Sequence, residues 1–143
     1  MDELAAREAI RDLIARYNGY GDSGRLDELL ALFTPDAVVV TDGTTYDGRD
    51  AIRGLFRTAA GPTPSRIRHF TSTLRIDVAA PDRATARCYF EVLTDAGLDH
   101  WGSYRDEIVH ADGAWRFARR EVRVDGMAPG GWAEARRGRH DAP

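Results

Sequence analysis

Apolar residues recur at Leu4, Ile10, Leu13, Ile14 and Tyr17, the spacing of a helix with one buried face, and Asp2 stands where an N-cap belongs. Gly19 and Gly21 read as its stop. A second, short helix is predicted from Leu26 to Phe33, closed by Thr34-Pro35. A third covers about Arg49 to Thr58, with Ile52, Leu55 and Phe56 on one side and Gly61-Pro62 as its end. Between them Ala37–Thr41 reads as a strand turning at Asp42-Gly43 into Thr44–Asp47. After residue 65 the period changes from helical to two. Arg66–Val78, Ala84–Leu93, His100–His110 and Ala114–Val124 are four long strands, separated by Pro81-Asp82, Asp95-Ala96-Gly97 and Asp112-Gly113. Three helices followed by a strongly curved, mainly antiparallel sheet make an α+β fold. Residues 1–125 form one domain; residues 126–143 are a tail that is either disordered or a flap over the opening.

Period-two alternation places His69 on the same face as Ile67, Thr71 and Thr73 of the first long strand. The opposite face carries Phe70, Leu74, Ile76 and Val78, an apolar surface that predicts a homodimer or homotrimer through the sheet. Asp22, at the exit of the first helix, is the carboxylate with which His69 is expected to pair. An imidazole held by a carboxylate in an apolar hollow is a base able to take a proton from carbon without a cofactor.

Composition removes most other chemistries. All 20 basic residues are arginine, so no lysine is present for a Schiff base or a pyridoxal phosphate linkage. The four histidines are scattered, none at i, i+4, and Cys88 is the single cysteine; no metal site is expected. A lone cysteine and an N-terminus without an apolar leader fit a cytoplasmic protein. Net charge is −3 with both signs interspersed, and no run of about 18 apolar residues occurs, so neither nucleic acid nor a membrane is an expected partner. Gly19-Tyr-Gly21-Asp-Ser-Gly24 matches the dinucleotide-binding pattern in letters, but a helix precedes it where that motif needs a strand.

Several further side chains are candidates for the lining of the hollow. Tyr17 sits on the helix stripe, so its ring is wall and its hydroxyl needs a partner. Tyr104 and Asp106 share a strand face, and Asp106 is expected to pair with Arg120 or Arg75. Phe56, Cys88 and Trp132 complete the expected substrate-contacting set.

The order and spacing of Ala9-Ile-Arg-Asp-Leu13-Ile-Ala-Arg-Tyr17, Asp22, Leu29-Leu-Ala-Leu-Phe33-Thr-Pro-Asp36-Ala37, Tyr46-Asp-Gly48-Arg49, His69-Phe70, Gly102-Ser-Tyr104-Arg-Asp106 and Asp112-Gly-Ala-Trp115-Arg-Phe117-Ala resemble the SnoaL-like branch of the nuclear transport factor 2-like superfamily. The resemblance implies a cone-shaped, cystatin-like α+β barrel with a deep pocket between helices and sheet. Dehydratase and dehydrochlorinase members of that family place an aspartate and a histidine where Asp22 and His69 fall, and the dehydrochlorinase members also an arginine where Arg120 falls. It therefore implies a cofactor-independent lyase acting on a small, largely apolar, secondary-metabolite-like substrate. His69 would be the base, Asp22 its partner, Tyr17 and Arg120 the groups that meet developing charge. Two alternatives go with it: an isomerase or polyketide cyclase of the ketosteroid-isomerase type with Tyr17 and Asp106 as oxyanion donors, and a non-catalytic small-ligand binding protein.

Overall fold

The computed structural model describes residues 2–58 and 64–140. Its elements are α1 (Glu3–Asp22), α2 (Leu26–Ala31), β1 (Phe33–Thr41), β2 (Thr44–Asp47), α3 (Arg49–Thr58), β3 (Ile67–Ala80), β4 (Arg83–Thr94), β5 (Gly97–Ala111), β6 (Ala114–Met127) and α4 (Trp132–His140). The six strands form one sheet in the order β2-β1-β6-β5-β4-β3. Every pairing is antiparallel except β1 with β6. The sheet is thus mixed and open, with β2 and β3 as its edges, rather than a closed barrel.

Asp2 caps α1, its carboxylate accepting from the Ala5 amide at 2.8 Å. The helix does not stop at Gly19 or Gly21; it runs through both to Asp22, and the chain turns at Gly24, whose φ is +70°. α2 is shorter than the apolar spacing suggests, because Phe33 already pairs with Phe117 of β6 and belongs to β1. The expected Gly61-Pro62 stop lies outside the described residues. Asp42-Gly43 and Asp112-Gly113 both turn with positive φ at each residue, as two-residue hairpins require. Ile10, Leu13 and Ile14 of α1, Leu29 and Leu30 of α2 and Ile52 of α3 bury against Val39, Val92, Ile108 and Phe117 on the concave face. Each contributes about 1.5–3 kcal/mol when fully buried.

Strict alternation fails at several bulges, three of which redirect residues around the site. Thr73, at φ +52°, is an extra residue in β3 between Ser72↔Tyr89 and Arg75↔Arg87. Before it Ile67, His69 and Thr71 face inward; after it Leu74, Ile76 and Val78 do, with Ile76 only 1% exposed. Thr73 does not share the face of His69, and of the apolar residues expected outside only Phe70 is there. Tyr89, Leu98 and Trp101 join it on the convex side. Asp99 is the extra residue of β5, between Val92↔His100 and Leu93↔Leu98. Ala118 is that of β6, between Ile108↔Phe117 and Glu107↔Arg119.

β6 runs past residue 125 to Met127, and within the expected tail Trp132–His140 form α4. Asp99 accepts the Trp132 and Ala133 amides at the helix start, and Arg137 reaches Asp42 in the β1–β2 turn at 2.7 Å.

Candidate functional site

β3 is an edge strand, so on one side its amides lack a neighbouring strand. α1 lies along that edge and supplies partners. Arg7 donates to the Ile76 carbonyl at 2.7 Å, and Asp22, the last residue of the helix, accepts the His69 amide at 2.9 Å. The second oxygen of Asp22 lies 2.5 Å from His69 Nδ1. One carboxylate therefore fixes both the backbone and the ring of His69. Because a carboxylate accepts, Nδ1 carries the proton of the neutral ring and Nε2, on the far edge, is the accepting nitrogen. The pair is partly open: the side chains of His69 and Asp22 are 24% and 10% exposed.

From His69 a ladder of rings leads inward. The imidazole of His100 stands edge-on to it at 6.4 Å, Phe90 lies 5.8 Å from His100, Tyr104 stacks on Phe90 at 4.6 Å, and Tyr17 meets Tyr104 edge-on at 5.9 Å. Phe56 closes on Tyr17 from α3 at 6.2 Å. Tyr104 Oη lies 3.5 Å from the buried amide oxygen of Asn18.

At the inner end lies Arg120, with none of its surface exposed. The Ala118 bulge turns it to the same face as Phe117, three residues away, which alternation alone forbids. Its Nε and Nη2 donate to the two oxygens of Asp106, both at 2.7 Å. The guanidinium carbon sits 4.1 Å from the ring of Tyr17 and 4.2 Å from those of Tyr104 and Phe117. Burial works against the charge, but the Asp106 carboxylate outweighs it, and Arg120 holds its proton more tightly than an ordinary arginine. Burial also pushes the Tyr17 and Tyr104 hydroxyls up, against the opposing pull of Arg120, so both remain hydrogen-bond donors. With both oxygens given to Arg120, Asp106 is an acceptor here, and Arg120 is a fixed charge behind two tyrosine rings rather than an open contact. Arg75, the other partner considered for Asp106, is exposed and pairs with Asp77.

Asp22 and His69 thus meet, and Tyr17, Tyr104, Asp106, Arg120 and Phe56 gather in one cluster linked to them by Phe90 and His100. Cys88 faces the same core, cross-strand from Tyr104; burial pushes its thiol up to about 11. Trp132, the first residue of α4, lies beside His100 with 6.1 Å between rings. Asp99 and His100 went unrecognised in the sequence; their one signal is the Asp-His dipeptide itself, and alternation would have put them on opposite faces. Among the described residues no three His, Cys, Asp or Glu side chains gather in a way that could hold a metal ion. Among the described residues no helix is long and apolar enough to cross a membrane. A hollow of about 590 Å³ lies on the convex side, lined by Ser72, Tyr89, Phe90, Glu91, Leu98 and Trp101 among others; of the ladder residues only Phe90 borders it.

Comparison with known proteins agrees with this architecture. Among solved structures, a protein assigned as a scytalone dehydratase from Novosphingobium aromaticivorans is 27% identical, with a TM-score of 0.79 and 87% of each chain covered. A protein from the same organism described as NTF2-like with a cystatin-like fold is 32% identical, with a TM-score of 0.75 over 93% of this chain and 89% of the other. The hexachlorocyclohexane dehydrochlorinase of Novosphingobium barchaimii, at 23% identity and a TM-score of 0.76 over 87% and 90% of the chains, shares the fold. No curated protein matches the sequence. A sequence profile of the SnoaL-like domain matches residues 2–121, and this chain belongs to the SnoaL-like family.

Proposed function

We propose that this protein is a cofactor-independent lyase that removes a proton from carbon in a small, largely apolar molecule, with His69 as the base. The observation that carries the reading is the double grip of Asp22 on the amide and Nδ1 of His69. It presents Nε2 in one orientation, with its lone pair available. Nε2 takes the proton; the C–H electron pair becomes a new C=C bond, and the leaving group departs with its own pair. The imidazolium so formed is met by the carboxylate 2.5 Å away. Tyr17 and Tyr104, backed by the charge of Arg120, are donors for negative charge that develops farther along the ring ladder from His69. Family membership and dehydratase- and dehydrochlorinase-type neighbours support a lyase-like or isomerase-like small-molecule enzyme. The isomerase reading with Asp106 as a proton-bearing oxyanion donor has less support, since Arg120 occupies both of its oxygens.

A panel of phenolic, terpenoid and polyketide-like compounds, screened by thermal stabilisation and then by product analysis, identifies the substrate. On it His69→Gln lowers turnover roughly 10²–10⁴-fold while the fold survives. A loss below tenfold removes His69 as the base, and binding without any turnover makes the protein a ligand carrier.

A further inference from the structure

The molecule carries a second carboxylate–imidazole pair. His100 Nδ1 lies 2.8 Å from Asp99, whose two oxygens also accept the Trp132 and Ala133 amides at 2.6 and 3.1 Å. The start of α4 favours negative charge there, so Asp99 serves as a fixed acceptor. Gly131 is part of the arrangement, since a side chain at that position would begin 2.7 Å from an Asp99 oxygen. As with His69, the grip on Nδ1 leaves Nε2 as an acceptor, and among the described residues Nε2 takes no hydrogen bond. The ring beside it supplies the converse. Trp132 Nε1–H is buried and among the described residues has no acceptor, a state that calls for a partner.

We infer that His100 and Trp132 form a hydroxyl-recognition subsite next to His69, in which His100 Nε2 accepts from a substrate O–H and the indole N–H donates to that oxygen. The inference rests on the reading that the chamber beside His69 admits an organic substrate, and it names the group that substrate carries. An alcohol or phenol satisfies both partners; an ether or a halocarbon leaves the imidazole unanswered. The charged and titratable groups around the ring are Asp99 on β5, His69 on β3 and Arg136 on α4. Burial is the largest influence on the His100 pKa and lowers it; Asp99 pulls the other way, His69 and Arg136 act with burial, and the net direction is down. The ring therefore stays neutral and accepting across the neutral range. Asp99 is the positioning residue, holding the tautomer and seating α4 with one carboxylate.

Calorimetry with 2-naphthol and 2-methoxynaphthalene, probes matched in ring system and differing in the O–H, tests the assignment. Wild type binds the naphthol about tenfold more tightly, the size of one hydrogen bond. His100→Phe brings the two probes within about twofold. His69→Gln keeps the tenfold gap, so the result is independent of whether His69 is the base. In wild-type protein, 2-naphthol moves the His100 Nε2 nitrogen resonance away from its free-acceptor position and the ether does not, a readout that needs no variant. Equal binding of the probes by wild type, binding of neither, an unmoved resonance, or a gap that persists in His100→Phe overturns the subsite.

Discussion

In Asp106–Arg120 and in Asp22–His69 alike a carboxylate grips a nitrogen donor, and both pairs tie distant parts of the chain together, but they lie at different depths. The first is fully buried, bidentate and walled by three rings. The second stands on the sheet edge with one ring nitrogen uncommitted and part of its surface open. The closed pair uses both carboxylate oxygens and leaves only the buried Arg120 Nη1 without a partner, and its removal is felt by the fold. An open pair keeps a lone pair for chemistry, and its removal is felt by the reaction. Depth and saturation, more than residue type, separate the structural pair from the reactive one.

The sharpest way to break this distinction is to remove one partner of each. Asp106→Ala leaves the Arg120 charge unpaired inside an aromatic box and destabilises the protein by about 3–5 kcal/mol in urea denaturation, while Asp106→Leu combined with Arg120→Met recovers most of it. Asp22→Asn changes stability by about 1 kcal/mol or less, because the amide oxygen still accepts from the His69 backbone. Turnover of the identified substrate falls roughly 10²-fold, because the tautomer of the base is no longer enforced. If Asp22→Asn costs several kcal/mol of stability and little activity, the two pairs do not differ in kind.

Cys88 reports on the same boundary from the core side. Its thiol is pushed up to about 11 by burial. Alkylation by iodoacetamide at pH 8.5 should run on the order of 10²-fold slower than for a free thiol with its ordinary pKa of about 8.5. Alkylation at the free-thiol rate would mean that water reaches the Arg120 cluster.

Much of this was readable from residue order. The Asp2 cap, the α1 stripe and the two Asp-Gly hairpins follow from local chemistry or from spacing, and the Asp22–His69 pairing from the family resemblance. What alternation could not see were the bulges. Thr73 moves Leu74, Ile76 and Val78 from the convex face to the core, so an oligomeric surface inferred from them lacks most of its residues. Ala118 brings Arg120 round to Asp106, and Asp99 leaves the pleat to hold both His100 and α4. A bulge is one extra residue with no strong side-chain signature at these three positions. It becomes visible only when the partner strand fixes the register. The glycines of α1 misled for the opposite reason: tertiary packing against β3 carries the helix through residues that weaken it by about 1 kcal/mol each.

The smallest effect tests the comparison at its midpoint. Asp99–His100 resembles Asp22–His69 in chemistry but approaches Asp106–Arg120 in depth, its side chains being only 2% and 13% exposed. In the arginine pair the net effect is a raised pKa despite burial; in this one burial, with His69 and Arg136, leaves the His100 pKa lowered despite the carboxylate. The difference follows from geometry, since Arg120 gives two parallel hydrogen bonds to Asp106 whereas His100 gives one to a carboxylate already shared with two amides. A lowered folded value has a definite sign in stability. Below the unfolded histidine value of about 6.5 the unfolded chain binds the proton more readily than the folded one, so folding weakens as pH falls from there through the lowered value. Urea midpoints of wild type and His100→Phe measured between pH 7.5 and 5 should therefore converge toward the acid end, the variant having lost the group that is penalised there. If they diverge instead, with wild type gaining on the variant as pH falls, Asp99 prevails over burial and His100 is charged in the folded protein, which places it with the arginine pair.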